Sequence, residues 1–214
     1  MKIIELVGLP GCGKSTLIEN ALSNTDRPYV QRNELIGMPV SSRERKSRKN
    51  RIRQISVLFF LYLKSRKKQE KKYYSRLLNL LDRLYCYQKK DNDAVLLLEE
   101  GIFQYLSSLA FDEDIAVGPG LERMIKEIIS DFDIVIVDCI IPVRESAKRI
   151  RNRNKKGDRY NIVDGAVQEK LLQIKRDNID KLLKYHKGKT YTLDLTGSVE
   201  KNTRELVGIL EENS

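Results

Sequence analysis

Apolar positions along this chain fall into two rhythms. Lys2 to Val7, Ala94 to Leu98 and Ile134 to Val137 form short, nearly continuous apolar runs, the pattern of parallel strands buried on both faces. The first run closes on Gly8, and the other two end in acidic residues within LLLEEG and IVIVDC. Weaker runs at Tyr29 to Arg32 and Thr190 to Leu195 predict two further strands. Between them the spacing is helical: from Lys14 to about Leu22, across Leu121, Met124, Ile125, Ile128, Ile129 and Phe132, and across Val199, Thr203, Leu206, Val207 and Leu210. Strand and helix alternate, which predicts an α/β fold with a five-stranded parallel sheet and helices on both faces.

Residues 41 to 90 break this alternation. Ile52, Ile55, Phe59, Tyr62 and Leu63 share one helical face, and Tyr74, Leu77, Leu78, Leu81, Leu84 and Tyr85 share another, so the pattern predicts an antiparallel helical hairpin joined through KSRKKQEKK and inserted between the second and third strands. The same segment holds 17 Lys+Arg against 3 Asp+Glu, so the net charge of +10 comes from this one stretch. Three readings of it stay open. A charge run is ordinarily a solvated face. The apolar run from Ile55 to Leu63, flanked by cations, suits attachment to an anionic surface or carrier. Tyr73, Tyr74, Tyr85 and Tyr87 among the cations suit stacking on nucleic acid, although no named nucleic-acid motif is present.

A length of 214 residues fits one domain spanning 1–214. The longest apolar stretch, Val57 to Leu63, is far short of the about 20 residues that span a bilayer. The start MKIIELVGLP, with Glu5 inside its apolar run, is no signal peptide. The expected location is cytoplasmic, peripheral at a membrane if the second reading of the basic segment holds. Cys12, Cys86 and Cys139 are too widely spaced for a disulfide framework or a zinc site and are expected in the core or in loops. His186, in KYHKGK, is expected at the surface.

Candidate chemistry begins at GLPGCGKST, where Gly8, Gly13, Lys14 and Ser15 satisfy Gly-x-x-x-x-Gly-Lys-Ser between a strand and a helix. In that setting successive backbone N–H groups converge on phosphate oxygens, and the helix N-terminus adds its partial positive charge. The backbone of Gly8, Pro10, Gly11, Cys12 and Gly13, with Lys14, Ser15 and Thr16, is expected to hold the phosphates of ATP. Lys14 would reach the β- and γ-phosphates, and the Ser15 hydroxyl would ligand Mg2+. The Asn-Lys-x-Asp run that reads guanine is missing, since Asn154-Lys155-Lys156-Gly157 has no acid at its fourth place.

Two further pieces fit phosphoryl transfer. Glu99 stands at the end of the third strand, where a parallel sheet presents side chains to the same crevice. It can order the Mg2+ shell through water or take the proton of an attacking hydroxyl, or it can merely face solvent. In RESAKRIRNRNKKGDRY, Arg149 and Arg153 share a helical face and Arg159 lies beyond the loop NKKGD. Arginines on a movable flap can close over a transferring phosphoryl group, or they can form a solvated basic helix.

With these pieces in place, GLPGCGKST resembles the loop of P-loop nucleoside and nucleotide kinases. VIVDCIIPVRESAKRIRNRNKKGDRYN resembles the fourth strand, arginine-rich helix and lid of the thymidylate-kinase group, which puts the lid at about 144–165. YTLDLTGSVEKNTRELVGIL is similar to that group's last strand and helix, with a loop centred on Gly197 near the adenine. The resemblance covers most of the chain outside 41–90, and it implies a P-loop kinase fold in which residues 41–90 occupy the acceptor-binding region. The group's strand-end acid falls on Glu99. At the next position, where the group has an arginine that meets the acceptor, this chain has Glu100, and the group's Arg-Glu-Pro-Gly-Gly stretch is here QRNELIGMP. A carboxylate facing a phosphate monoester is unfavourable unless a cation intervenes, and Arg32 could supply part of that charge.

The sequence thus reads as an ATP- and Mg2+-dependent kinase that phosphorylates a hydroxyl of a small acceptor such as a nucleoside or a sugar. Two alternatives remain: a nucleoside monophosphate kinase, and a nucleotide-regulated ATPase or binding module with an anionic partner.

Overall fold

A computed structural model of the chain describes residues 1–37, 68–88, 93–109, 119–153, 160–161 and 164–213. Five parallel strands, β1 (Lys2–Gly8), β2 (Val30–Gln31), β3 (Val95–Leu98), β4 (Asp133–Ile140) and β5 (Thr190–Asp194), form one sheet in the order β2-β3-β1-β4-β5. The described helices are α1 (Lys14–Leu22), α2 (Arg32–Gly37), α3 (Lys68–Gln88), α4 (Ile102–Leu106), α5 (Pro119–Ser130), α6 (Val143–Arg153), α7 (Gly165–Leu183) and α8 (Val199–Glu212). This is the α/β architecture that the alternation predicts, with all five strands near their expected places.

β1 is central and pairs with β3 on one side and β4 on the other, placing Glu5 opposite Leu98 and Gly8 opposite Cys139. Its side chains alternate between two cores. Ile3 and Val7 pack with Leu77, Leu81, Phe103 and Ile125 on one face, while Ile4 and Leu6 pack with Leu17, Ile18, Leu206 and Leu210 on the other. Two-sided burial explains why β1 reads as an unbroken apolar run. The chain leaves β1 toward β2 on one side and later crosses to β4 on the other, so the strand ends beside β1 form the crevice where open α/β sheets bind ligands.

Several expectations are refined. The second strand is only two residues long, because Arg32 already opens α2. α3 begins at Lys68, inside the stretch expected to join the hairpin arms; its Lys, Glu and Gln are themselves good helix formers. The first arm, with Ile52, Ile55, Phe59, Tyr62 and Leu63, lies outside the described residues, as do the loop NKKGD, Arg159 and the side chains of Leu121 and Met124. Tyr74, Tyr85 and Tyr87 of α3 are core residues, which removes them as stacking surfaces. Tyr85 donates to the Asp131 carboxylate at 2.5 Å and packs its ring 4.9 Å from that of Phe132.

All three cysteines are buried and free. His186 is half-buried rather than superficial: its ring meets Phe103 edge-on at 5.5 Å, and burial lowers its pKa. Helix α7, unannounced by its apolar spacing, is held to β4 by a bidentate ion pair from Arg176 to Asp138 at 2.7 and 2.8 Å. Among the described residues no helix is long and apolar enough to cross a membrane.

Candidate active site

The loop after β1 closes its turn through left-handed glycines. Gly13 has φ of 107° at the N-cap of α1, a backbone conformation that a Cβ would strain. α1 has no side-chain cap and no acid in its first turn, so its leading N–H groups and its dipole are left for an anion. Lys14 folds back over the loop, donating from Nζ to the carbonyls of Gly8 at 3.1 Å and Leu9 at 3.0 Å. The loop is therefore held in a cradle shape by the same ammonium that a phosphate would attract.

This loop is the floor of a cavity of about 800 Å³, with Pro10, Gly11, Cys12, Gly13, Ser15 and Thr16 in its wall. Gly8 stands at the head of the loop, its N–H bound by Gln104. Glu99, at the end of β3, reaches Ser15, whose hydroxyl donates to Glu99 Oε2 at 2.5 Å. The two residues that sequence spacing assigned to metal and acid chemistry, 84 positions apart, thus meet. Oxygen donors of this kind suit Mg2+, which takes few protein ligands and completes its shell with phosphate and water.

Packed against the loop, α6 brings Arg149 and Arg153 to the cavity wall on one helical face. Arg149 binds main chain: Nη1 donates to the Cys12 carbonyl at 3.1 Å and Nη2 to that of Leu195 at 3.4 Å, while Nε pairs with Glu145 at 3.0 Å. It ties the loop to the segment after β5. Ser146 adds a bond of 2.6 Å to the Pro10 carbonyl. Leu195, Gly197, Val199 and Asn202 complete this end of the cavity, with Ser198 capping α8 by accepting from the Lys201 N–H at 3.2 Å.

At the other end, α3 contributes Lys72, Tyr73 and Arg76, and α4 contributes Tyr105. The Tyr105 hydroxyl donates to Glu100 Oε2 at 3.0 Å, and Arg32 Nη2 stands 3.8 Å from the same oxygen. Burial raises the Tyr105 pKa, and the Glu100 charge adds to the rise. The Arg32 guanidinium also lies over the Tyr105 ring, 5.8 Å from its centroid. A cation thus does stand beside Glu100.

Beneath the cavity lies a buried polar group that sequence reasoning missed. Glu5, fully buried in mid-strand, accepts from the Gln104 N–H at 2.8 Å. It acts as a remote cap for α4, whose N-cap residue, Gly101, offers no side chain. A Cβ on Gly101 would lie 2.4 Å from Glu5 Cδ, which explains the glycine directly after the two acids. Lys175 of α7 is equally buried and donates to the hydroxyls of Ser107 at 2.6 Å and Ser108 at 2.7 Å. The available signals were an acid interrupting an apolar strand and a lysine on the helical face of Leu171, Leu172, Ile179 and Leu182.

Burial pushes the Glu5 carboxyl from its ordinary 4.5 up to about 7, against the pull of the Gln104, Phe103 and Ile102 N–H groups and of Lys175. With a folded pKa above the unfolded one, the folded state holds its proton more tightly. That stabilisation is complete below about pH 4.5 and is lost as pH rises through 7. The loss amounts to about 3 kcal/mol. Urea unfolding at pH 5 and pH 8 should show a smaller fall in stability for Glu5→Gln than for the wild type, by about that amount; equal falls would clear Glu5 of this role.

No family model matches the chain, and no curated protein matches it in sequence. Solved structures do match in shape. Deoxyadenosine kinase from M. mycoides with the products dCMP and a flexible dCDP bound is 15% identical, with 99% of this chain and 100% of that chain covered and a TM-score of 0.60. The same kinase with bound dATP is 14% identical over 99% and 100%, with a TM-score of 0.55. The YorR protein from Bacillus subtilis, in complex with phosphorylated GDP, is 16% identical over 98% and 95%, with a TM-score of 0.52. The chain therefore shares, over nearly its full length, the α/β fold of these structures.

Proposed function

We propose that this protein is an ATP-dependent kinase that transfers the γ-phosphoryl group to a hydroxyl of a nucleoside-like acceptor. The observation that carries the reading is the contact between Ser15 and Glu99 at the rim of the phosphate cradle, which gathers metal-binding and proton-accepting oxygens where a γ-phosphate would end. In this reading the loop amides and Lys14 hold the triphosphate, with the adenine toward Gly197. Ser15 and, through water, Glu99 would hold Mg2+, which neutralises charge on the β- and γ-oxygens. Glu99 receives the acceptor's proton. Arg153, with Arg159 beyond it, closes over the transferring group from the lid at 144–165, while Arg149 keeps the loop in register with the adenine segment. The likeness in fold to deoxyadenosine kinase supports a nucleoside as the acceptor, and α3 supplies the acceptor wall.

A second reading, a nucleoside monophosphate kinase, is favoured by one observation. Arg32 stands beside Glu100, and Lys72 and Arg76 line the same end, so the charge penalty expected from Glu100 alone is offset.

Incubation with Mg-ATP and, separately, deoxynucleosides, thymidylate and dCMP, followed by ADP release and mass detection of products, decides between them. A monophosphate formed from a deoxynucleoside is the expected result. Diphosphate formed only from the monophosphates selects the second reading, and ADP release without any phosphorylated product overturns both.

A further inference from the structure

Gln104 is 9% exposed, yet it belongs to the cavity wall. Its Oε1 accepts from the Gly8 N–H at 3.2 Å. A backbone N–H can only donate, so this bond fixes which end of the amide is oxygen. The Nε2 group is left without a partner among the described residues, at the surface of the cavity. The main chain of Gln104 is immobilised as well. Glu5 takes its N–H at 2.8 Å, and its carbonyl accepts from Ser108 at 2.7 Å, Ser107 at 3.0 Å and Lys175 at 3.3 Å. Gln104 is therefore a donor held through its side chain by the first glycine of the phosphate loop and through its main chain by Glu5, Ser107, Ser108 and Lys175. Such a donor carries no reorganisation cost when charge develops in front of it.

We propose that Gln104 is a further catalytic residue, whose Nε2 donates a hydrogen bond to a non-bridging oxygen of the phosphoryl group during transfer. This rests on the kinase reading above. In the step, the acceptor oxygen bonds to the γ-phosphorus while the bond from that phosphorus to the β–γ bridging oxygen breaks. ADP departs with the electron pair, and the acceptor's proton passes to Glu99. The buried Glu5–Gln104–Lys175 arrangement then has a purpose beyond packing, because it holds one side chain in place at the reacting centre.

Calorimetric titration with ADP, and with ADP plus aluminium fluoride as a stand-in for the phosphoryl group in flight, tests this without an identified acceptor. Gln104→Glu keeps an acceptor for the Gly8 N–H and removes the donor; Gln104→Leu removes both. The wild type should bind ADP with aluminium fluoride more tightly than ADP. Both variants should lose about tenfold to a hundredfold of that gain, over and above any change in affinity for ADP alone, which the first titration measures separately. As pH is lowered and its carboxyl protonates, Gln104→Glu should recover part of the gain, since the acid can then donate, whereas Gln104→Leu should not. If Gln104→Leu fails to fold, Gln104→Glu and its pH response decide alone. Equal gains in wild type and Gln104→Glu would reduce Gln104 to an anchor for Gly8 and end the proposal with the kinase reading intact. No gain in the wild type would overturn the kinase reading, and this inference with it.

Discussion

Glu99→Gln should lower turnover by about 10²- to 10⁴-fold, the usual contribution of a positioned general base, with little change in stability. The substitution keeps the volume and still accepts from the Ser15 hydroxyl, whose bond to Glu99 is 2.5 Å long, so the cradle stays intact while a negative charge and a proton acceptor disappear. The two tasks assigned to Glu99 separate in one experiment. If it takes the acceptor's proton, saturating Mg2+ leaves the loss undiminished. If it acts through the metal shell, the Mg2+ concentration for half-maximal rate rises and excess metal restores much of the rate. Full turnover in Glu99→Gln at ordinary Mg2+ would remove it from both roles.

Lys14→Ala should weaken ATP binding by about tenfold to a hundredfold, the range of a hydrogen bond to a charged group. Turnover should fall further, because charge on the transferring oxygens is then left uncompensated at the moment of transfer. In the structure the ammonium holds the Gly8 and Leu9 carbonyls. Its loss should therefore also cost about 1 kcal/mol of stability, measurable by urea unfolding. Titration calorimetry with ATP and with ADP separates the contributions, since a lysine that reaches the γ-phosphate discriminates between them. Equal ATP affinity in wild type and Lys14→Ala would mean that the cradle holds something else.

Much of the architecture was legible because its determinants are local. β1, α1, β4 and α8 are continuous or strictly periodic in their apolar residues, and they begin and end within a few residues of the expected places. The glycines of the loop announce its conformation, since only a residue without Cβ sits comfortably where Gly13 does. The elements that escaped notice are those whose buried face is partly polar. Gln168, Lys175 and Asn178 stand in the buried stripe of α7, which dilutes its periodicity. α4 has only five residues, and its cap comes from Glu5, which accepts from the Gln104 N–H across 99 positions of chain.

The same division holds at the site. A contiguous motif named Lys14, Ser15 and the loop glycines, and the end of an apolar run named Glu99, because each depends on neighbours a few residues away. Arg32 was already a candidate partner for Glu100 in the sequence and does stand beside it, but what binds Gly8 and what Arg149 grips are questions of distance across the sheet, and spacing along the chain carries no record of them. Sequence by itself determined the strands, the phosphate-binding turn and the presence of an acid and arginines fit for transfer, through backbone sterics and apolar periodicity. Tertiary structure alone decided that Arg149 binds main chain and that Gln104 is clamped by Glu5 and Lys175 at the cavity wall. Buried polar groups must find partners wherever the fold brings them together, and that pairing is a property of three dimensions.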